Sequence, residues 1–496
     1  MKHRLLLKKI TWMIIFILGI SWLSSAQRDS LTIDMALNIA EENNPSLKSS
    51  KLRLEQSQLT LIAQRASLKS SFSLSLEPVS YSNTRRFDNR LSQWYENETF
   101  NTGGSFRISQ PILPTDGTLS LRNNFSWQDN SSLVDGVPNQ NKSFTNNLFL
   151  SFDQPIFTYN TQKMALKRLE IEYENYGISY ALQRLNTEVS ISRQFYSVYM
   201  AQENLIIVKE ELENAKQNYE IIKSKVDADL SAKEELYQAE VNYASAQSSV
   251  ENQIAGLEDA KDDLKQILGM PMSEDIRVKA DIVINTVLIS LDKAVNNGMD
   301  TRMELRQREL DMELGEMAMV QTKALNEFKG NISLSLGIQG VNENFGNMYD
   351  KPTQSPSIGI SFQIPLFDWG EKKARIKAQQ TAQTITKLNY ENQKITIEID
   401  IRQLVRQIEN YRNQIDIAEK NVRNAQLTFD LNQTRYRMGE LSGMQISQYQ
   451  TQLSSRKMSY SQSLINYKLA LLNLKIAALY DFENDMPVVP IRELEN

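Results

Sequence analysis

The chain has 496 residues, no cysteine and a formal net charge of −5. Its only histidine, His3, lies close to the amino terminus, so nearly all of the chain offers neither imidazole nor thiol. This composition excludes disulfides, Ser-His-Asp and Cys-His catalysis, and zinc sites with His or Cys ligands. The charged residues form no basic stripe, which argues against nucleic acid as a partner.

The amino terminus has the three parts of a secretory signal peptide. Residues 1–9 are basic, residues 10–23 form an apolar core, and residues 24–26 (Ser-Ser-Ala) provide a small-residue cleavage site. A retained membrane anchor is the alternative, but the apolar run is shorter than the ~20 residues of a spanning helix. We therefore predict a cleaved signal peptide over residues 1–26, and no later segment is long and apolar enough to span as a helix.

A helix and a strand are predicted next. Residues 31–70 have a helical pattern that is interrupted at Asn43-Asn44-Pro45. Phe72, Leu74 and Leu76 then alternate with polar residues, which is the period of a strand, and a returning strand is predicted over 144–152. Each strand is about as long as the 9–11 residues of a tilted membrane strand.

An insertion separates these two strands. Leu76 and Phe152 are 76 positions apart, whereas the corresponding Leu336 and Phe362 are only 26 apart. The insertion contains alternating residues on both sides of a Pro-Thr-Asp-Gly turn, which predicts an extra hairpin near residues 102–128. The sequence leaves open whether this hairpin joins the wall of strands or lies outside the membrane, and we expect an extracellular extension.

Two very long helices are predicted over residues 159–226 and 369–436. Apolar and aromatic residues recur at intervals of three and four, as in the series Ile408, Tyr411, Ile415, Ala418, Val422, Ala425 and Phe429. This spacing is typical of a coiled-coil seam. Each helix is ~100 Å long at 1.5 Å per residue, followed by a tight tip and a returning helix. Such helices are too long and too charged to lie within a bilayer core of ~30 Å.

The whole unit occurs twice. Phe152, Pro155 and Phe157 lie 210 positions before Phe362, Pro365 and Phe367, and the helical seams match at the same offset. We predict a first repeat over 27–271, a linker over 272–288, a second repeat over 289–481 and a tail over 482–496. The linker and the tail are expected to form a belt around the helices.

The strands of one chain are too few to close a barrel. An open strand edge is not tolerated in lipid, so the strands must pair with those of other copies, which predicts a cyclic homo-oligomer. A soluble sandwich is disfavoured because no second layer is predicted to cover the apolar faces. The predicted fold class is an α+β membrane protein, with a transmembrane β-barrel continued by an α-helical coiled coil and with two internal repeats.

The chain resembles the TolC-like outer-membrane efflux proteins. The resemblance is carried by the opening segment 31–48, by Gln-Pro-Ile-Phe at 154–157 and Ile-Pro-Leu-Phe at 364–367, and by the tip at 435–442. It implies a homotrimer in the outer membrane with a twelve-strand barrel, four strands per copy, and a periplasmic helical tunnel. It further implies a passive exit duct for a tripartite efflux or type I secretion system, with a periplasmic adaptor protein and an inner-membrane pump as partners, and with neither enzyme activity nor cofactor.

The resemblance also implies roles for the tips. The residues expected to dock onto the adaptor are Val226, Asp229, Leu230, Ser231, Arg435, Gly439, Leu441 and Ser442. Tyr436 matches an aromatic residue that keeps the closed end constricted, Gln445 and Gln448 occupy the positions of an acidic ring in better-known members, and Glu235 is a local candidate to replace that ring. Taken alone, these residues favour ordinary turn chemistry at the tips and seam packing at Tyr436, and only the resemblance over the whole chain favours the docking and gating roles.

A periplasmic coiled-coil scaffold without a pore is the alternative function. A carboxylate-dependent hydrolase is disfavoured, because no globular domain is available to build a cleft. The cargo stays open, since drugs, metal ions and polypeptides would all use similar tunnels.

Overall fold

The computed structural model describes residues 30–89, 92–134, 137–280, 282 and 287–488. These residues form two compact units, the first made of residues up to 50, 181–302 and from 396 onward, and the second of residues 51–180 and 303–395. The predicted signal peptide, most of residues 281–286 in the linker and the end of the tail lie outside the described residues.

The order of elements follows the predicted order of helices and strands. In chain order they are α1 (Ile33–Asn43), α2 (Pro45–Ser67), β1 (Ser71–Asp88), β2 (Gln93–Ile112), β3 (Gly117–Val134), β4 (Val137–Ile156), α3 (Thr161–Asp227), α4 (Lys233–Leu268), α5 (Leu291–Thr301), α6 (Met303–Lys323), β5 (Lys329–Asn342), a 3₁₀ turn (Phe345–Asn347), β6 (Thr353–Gln363), α7 (Glu371–Arg437), α8 (Gly443–Ala478), β7 (Tyr480–Asp481) and β8 (Met486–Pro487). None of the described helices combines the length and the apolar character of a membrane span.

The internal repeats are confirmed by the helix lengths. Helices α3 and α7 both have 67 residues, and α4 and α8 both have 36. Each pair begins 210 positions apart, as the sequence predicts. A helix of 67 residues is ~100 Å long. The predicted seam residues Ile408, Ile415 and Phe429 are buried, so the spacing of three and four identifies the packed face.

The interruption predicted at Asn43-Asn44-Pro45 is confirmed, and Asn44 explains it. Its side-chain oxygen accepts a hydrogen bond from the Leu47 amide at 2.8 Å, which caps α2, and Pro45 is the first residue of that helix. Its side-chain amide donates to the Ile267 carbonyl at 2.6 Å, at the end of α4. This buried asparagine therefore joins the α1–α2 junction to the end of α4 within the first unit.

The described part of the linker lies against α3 in the first unit. Leu31 and Val278 form a parallel β-bridge, and the Gln202 side chain bonds both the N–H and the C=O of Val278, at 3.0 and 3.1 Å. The start of the tail pairs with Tyr480–Asp481 in a two-stranded ribbon, and Asp485 accepts hydrogen bonds from Tyr480 and from Lys293 on α5. The belt around the helices stays a prediction.

The strands of the second unit form one antiparallel sheet in the order β1-β2-β3-β4-β5-β6. The predicted extra hairpin is β2–β3, and it is part of this sheet, paired with β1 on one side and β4 on the other. The expected extracellular extension and the four strands per copy are therefore both wrong for this chain. The reason is that the hairpin alternates in phase with its neighbours, so its apolar residues continue their apolar face.

The two faces of the sheet differ sharply in polarity. One row across all six strands is apolar and consists of Phe72, Ile108, Leu121, Leu150, Leu336 and Pro356. The opposite face carries mainly Ser, Asn, Thr and Gln side chains along the same strands. Apolar side chains of the edge strands are largely exposed, with Phe72 at 67% and Ile358 at 77%. Such a sheet has one face suited to lipid and one suited to water.

Aromatic side chains mark two levels of the sheet. At one level Phe100 lies 5.9 Å from Trp127, and Phe144 lies 5.8 Å from Phe345, between ring centroids. At the other level Phe328 contacts both Phe157 and Phe362 at 5.2 and 5.4 Å. Aromatic girdles of this kind flank the apolar band of transmembrane barrels.

Candidate functional site

The turns at the two helical tips have the same backbone geometry. In the first, the Leu230 amide bonds the Lys225 carbonyl at 2.8 Å, with Asp229 in the left-handed region at φ 57°. In the second, the Glu440 amide bonds the Arg435 carbonyl at 3.0 Å, with Gly439 at φ 82°. Both are Schellman motifs. Asp229 therefore occupies the glycine position at a conformational cost of about 1–2 kcal/mol.

The returning helices begin differently. Ser442 and Gln445 form a capping box at the start of α8, with the Ser442 amide donating to Gln445 Oε1 at 3.0 Å. In α4 the N-cap is Ala232, and the Ser231 hydroxyl donates instead to the Glu235 carboxylate. Gln445 thus stabilises its own helix, while Gln448 is exposed.

The residues predicted to dock onto an adaptor divide into exposed and half-buried sets. Leu230 is 78% exposed, and Asp229, Gly439 and Ser442 are exposed with it. Arg435 is exposed and forms an ion pair with Glu440 at 3.0 Å. The half-buried set is Val226, Ser231 and Leu441. The tips therefore present a surface that combines an apolar group with charged and backbone groups.

Tyr436 joins the two hairpins of the first unit. It is 6% exposed, packs with Phe429, Ile446 and Leu453, and donates its hydroxyl hydrogen to Asn218 Oδ1 on α3. Burial, together with the charge of Glu235, raises the pKa of Tyr436 to about 12. The phenol therefore stays protonated and remains a donor near neutral pH.

Beyond the bond between Tyr436 and Asn218, polar contacts also join α3 to α8. Asn214 donates to Gln450 at 3.0 Å, and Lys457 pairs with Glu210 at 3.0 Å. At Gly443 a methyl group would lie 2.6 Å from Ile222 Cδ1, so the start of α8 approaches α3 closely. A cavity of about 220 Å³ lies beside these contacts. The contact between the hairpins thus combines polar pairs and a close approach at Gly443 with an adjoining cavity.

Sequence reasoning identified Tyr436 but missed Asn218, its partner. The signal available in the sequence is that Asn218 lies one helical turn before the apolar residue Ile222, and both are buried on the same face of α3. Glu235 lies close enough for its charge to act on Tyr436. Gln445, by contrast, caps its own helix, and Gln448 is exposed.

Solved structures with a similar fold include outer membrane channels. The chain is 17% identical to the Campylobacter jejuni CmeC outer membrane channel, with a TM-score of 0.68 over 92% of this chain and 86% of that one. It is 14% identical to the Vibrio cholerae outer membrane protein VceC, with a TM-score of 0.65 over 90% of this chain and 95% of that one. It is 13% identical to the Neisseria gonorrhoeae MtrE outer membrane channel in its open state, with a TM-score of 0.65 over 90% of this chain and 88% of that one. A comparison with curated protein sequences gave no match.

The sheet and the long helices define the class of barrel and helical-tunnel channels. The family model for outer membrane efflux protein matches residues 118–270 and 327–478, more than half of the chain. The chain belongs to the outer membrane efflux protein family. It is accordingly an efflux channel protein of the outer membrane with a periplasmic helical part, and its family is one of channels rather than enzymes. The alternative of a scaffold without a pore is therefore wrong.

Proposed function

We propose that three copies of this chain close one barrel and one helical tunnel, and so form the passive exit duct of a tripartite efflux or type I secretion system. The observation that supports this proposal is the six-stranded sheet, which has a continuous apolar face and ends in the unpaired edges of β1 and β6. In lipid such edges must be paired. Six strands are too few to enclose a lumen, since about eight give an interior that side chains just fill.

The extra hairpin changes the size of the proposed barrel. Three copies of a six-stranded sheet give 18 strands instead of the 12 that the family resemblance implied. Barrel diameter grows roughly linearly with strand number, so the barrel is about 1.5 times as wide, in the range of porins that hold an aqueous channel.

Apolar residues on the helices support packing between copies. On α7 in the first unit, Ile417, Leu427 and Leu431 are 60%, 54% and 69% exposed. Leu427 and Leu431 are one helical turn apart and form an exposed apolar pair, and exposed apolar patches mark protein interfaces. In the trimer these residues would be covered by neighbouring helices, as the sheet edges are by neighbouring strands.

The tips are the proposed docking surface for the periplasmic adaptor, through which the inner-membrane pump supplies the energy. Asp229, Leu230, Arg435, Gly439 and Ser442 are exposed there, and the half-buried Val226, Ser231 and Leu441 support them. No step of this role requires catalysis or a cofactor, and the channel family supports a conduit without enzyme activity.

The contact between Tyr436 and Asn218 is the proposed gate. It holds the second tip against α3, and the incompletely packed cavity beside it gives the helices room to separate. Glu235, whose charge acts on Tyr436, is expected to give the aperture a preference for cations, while Gln445 and Gln448 make it less acidic than in better-known members. The reversal potential of the reconstituted channel in a salt gradient measures its preference for cations over anions and so checks the role of Glu235.

Tyr436→Phe should open the tip and raise the single-channel conductance in planar bilayers. It removes a buried hydrogen bond worth about 0.5–1.5 kcal/mol in each copy, which weakens the closed arrangement up to about tenfold per copy. The matched control is Tyr449→Phe, because Tyr449 packs on the same cluster but its hydroxyl makes no hydrogen bond to a described residue. Equal conductance in both variants would remove Tyr436 from the gate, and the absence of any conductance even in Tyr436→Phe would contradict the duct.

A further inference from the structure

Two arginines lie directly opposite each other on the polar face of the inserted hairpin. Arg107 on β2 and Arg122 on β3 are cross-strand neighbours, and both are exposed. Within the part of the chain that the structure describes, neither forms an ion pair or a side-chain hydrogen bond. Like charges directly opposite each other destabilise a sheet, so the pair is unfavourable for the fold.

The surroundings on that face do not neutralise the pair. Its row across the sheet continues through Ser73 on one side and Phe149, Gly337 and Ser355 on the other, with no carboxylate. On the neighbouring strands the nearest acids of that face are Glu77 and Asp153, each four residues along the strand from this row. Four residues span about 13 Å, which exceeds the screening length of ~8 Å at physiological salt.

The barrel places this pair in water rather than in lipid. Leu121 and Ile108, the neighbours of Arg122 and Arg107 along their strands, belong to the apolar row and point to the opposite face. When the sheet closes with the apolar row outward, as the proposed function requires, both guanidinium groups face the lumen. Three copies then bring six guanidinium groups to one level.

We propose that Arg107 and Arg122 form an oxyanion-binding ring inside the barrel, which attracts phosphate or carboxylate groups of passing solutes. The inference rests on the proposed trimeric barrel. Arginine binds both kinds of group with two parallel hydrogen bonds, and rings of Arg or Lys favour anions in pores. The second repeat lacks the hairpin, so the ring is a property of the insertion alone.

The test is the block of single-channel current by inorganic tripolyphosphate, added to the side of the bilayer that the β1–β2 and β3–β4 turns face. In the proposed duct this is the extracellular side. In the wild type it should lower the conductance. In R107Q/R122Q the concentration for half-block should rise at least about tenfold, because charge-assisted hydrogen bonds are lost in every copy. R107K/R122K keeps the charge and should lie between the two.

Lys323→Gln with Lys387→Gln is the matched control, since it removes two exposed positive charges from helices of the same unit. It should leave the block unchanged. Conductance with the same half-block in R107Q/R122Q as in the wild type would overturn the ring and leave the duct standing, whereas no conductance even with the tip opened by Tyr436→Phe would overturn both. Because like-charge repulsion is removed, the R107Q/R122Q trimer should resist heating in detergent at least as well as the wild type, and its failure to assemble would show a structural role instead.

Discussion

Leu336→Arg should abolish the assembled barrel, whereas Ser335→Arg, on the adjacent residue, should leave it intact. Leu336 on β5 belongs to the apolar row and lies between Leu150 and Pro356. Ser335 points to the polar face and lies between Ser151 and Ser357. An arginine on the lipid face of a barrel costs about 2–4 kcal/mol at the bilayer midplane. Three copies multiply this cost, which then approaches the whole stability of a typical domain, about 5–15 kcal/mol.

Heat-modifiable oligomers on unheated detergent gels of outer-membrane fractions measure this difference. The L336R variant should yield monomer or no protein in that fraction, and S335R should yield wild-type amounts of oligomer. The two variants add the same charge to the same strand, so only the face differs. Equal loss in both, or in neither, would show that the apolar row does not face lipid.

Gly269→Ala should destabilise the first unit by roughly 2–5 kcal/mol, combining the left-handed penalty with overpacking. Gly269 ends α4 at φ 71°, and a methyl group there would lie 2.4 Å from the Asn43 carbonyl oxygen. That oxygen belongs to the backbone at the α1–α2 junction, which Asn44 fixes to the end of α4. Neither partner can therefore move away cheaply.

Gly256→Ala is the control for this substitution. Gly256 lies within α4 with nothing within 4 Å of the added methyl group, so alanine should stabilise the helix by about 1 kcal/mol. Thermal unfolding of the two purified variants, followed by circular dichroism, should shift in opposite directions. Similar melting temperatures would contradict the tight junction at Gly269.

The sequence predicted the helical part well because its signals are local and periodic. The seam spacing, the 210-residue offset and the Asn-Asn-Pro interruption each follow from the chain alone and are confirmed. The position of the β2–β3 hairpin was predicted wrongly, because alternation shows that a segment is a strand but not which strands it joins. The alternation of the insertion had to be compared with that of its neighbours, because its apolar residues lie on the same face of the sheet as those of β1 and β4.

Partners on different helices were harder to predict. Asn44 was recognised as a break but not as the link to Ile267, which lies 223 residues away. Asn218 is an ordinary helical asparagine until Tyr436 is placed beside it. Hydrogen bonds of this kind depend on the packing of distant helices against one another, and that packing cannot be read from the residues near either partner.

Single-cysteine labelling in intact cells tests the outer-membrane duct most directly. The chain has no cysteine of its own. Asn141, near the start of β4, and Met438, at the second tip, are both exposed. With a membrane-impermeant maleimide, Asn141→Cys should be labelled in intact cells, and Met438→Cys only after the outer membrane is permeabilised. If Asn141→Cys is protected in intact cells and labelled only after permeabilisation, the strands do not reach the cell surface and the account is contradicted.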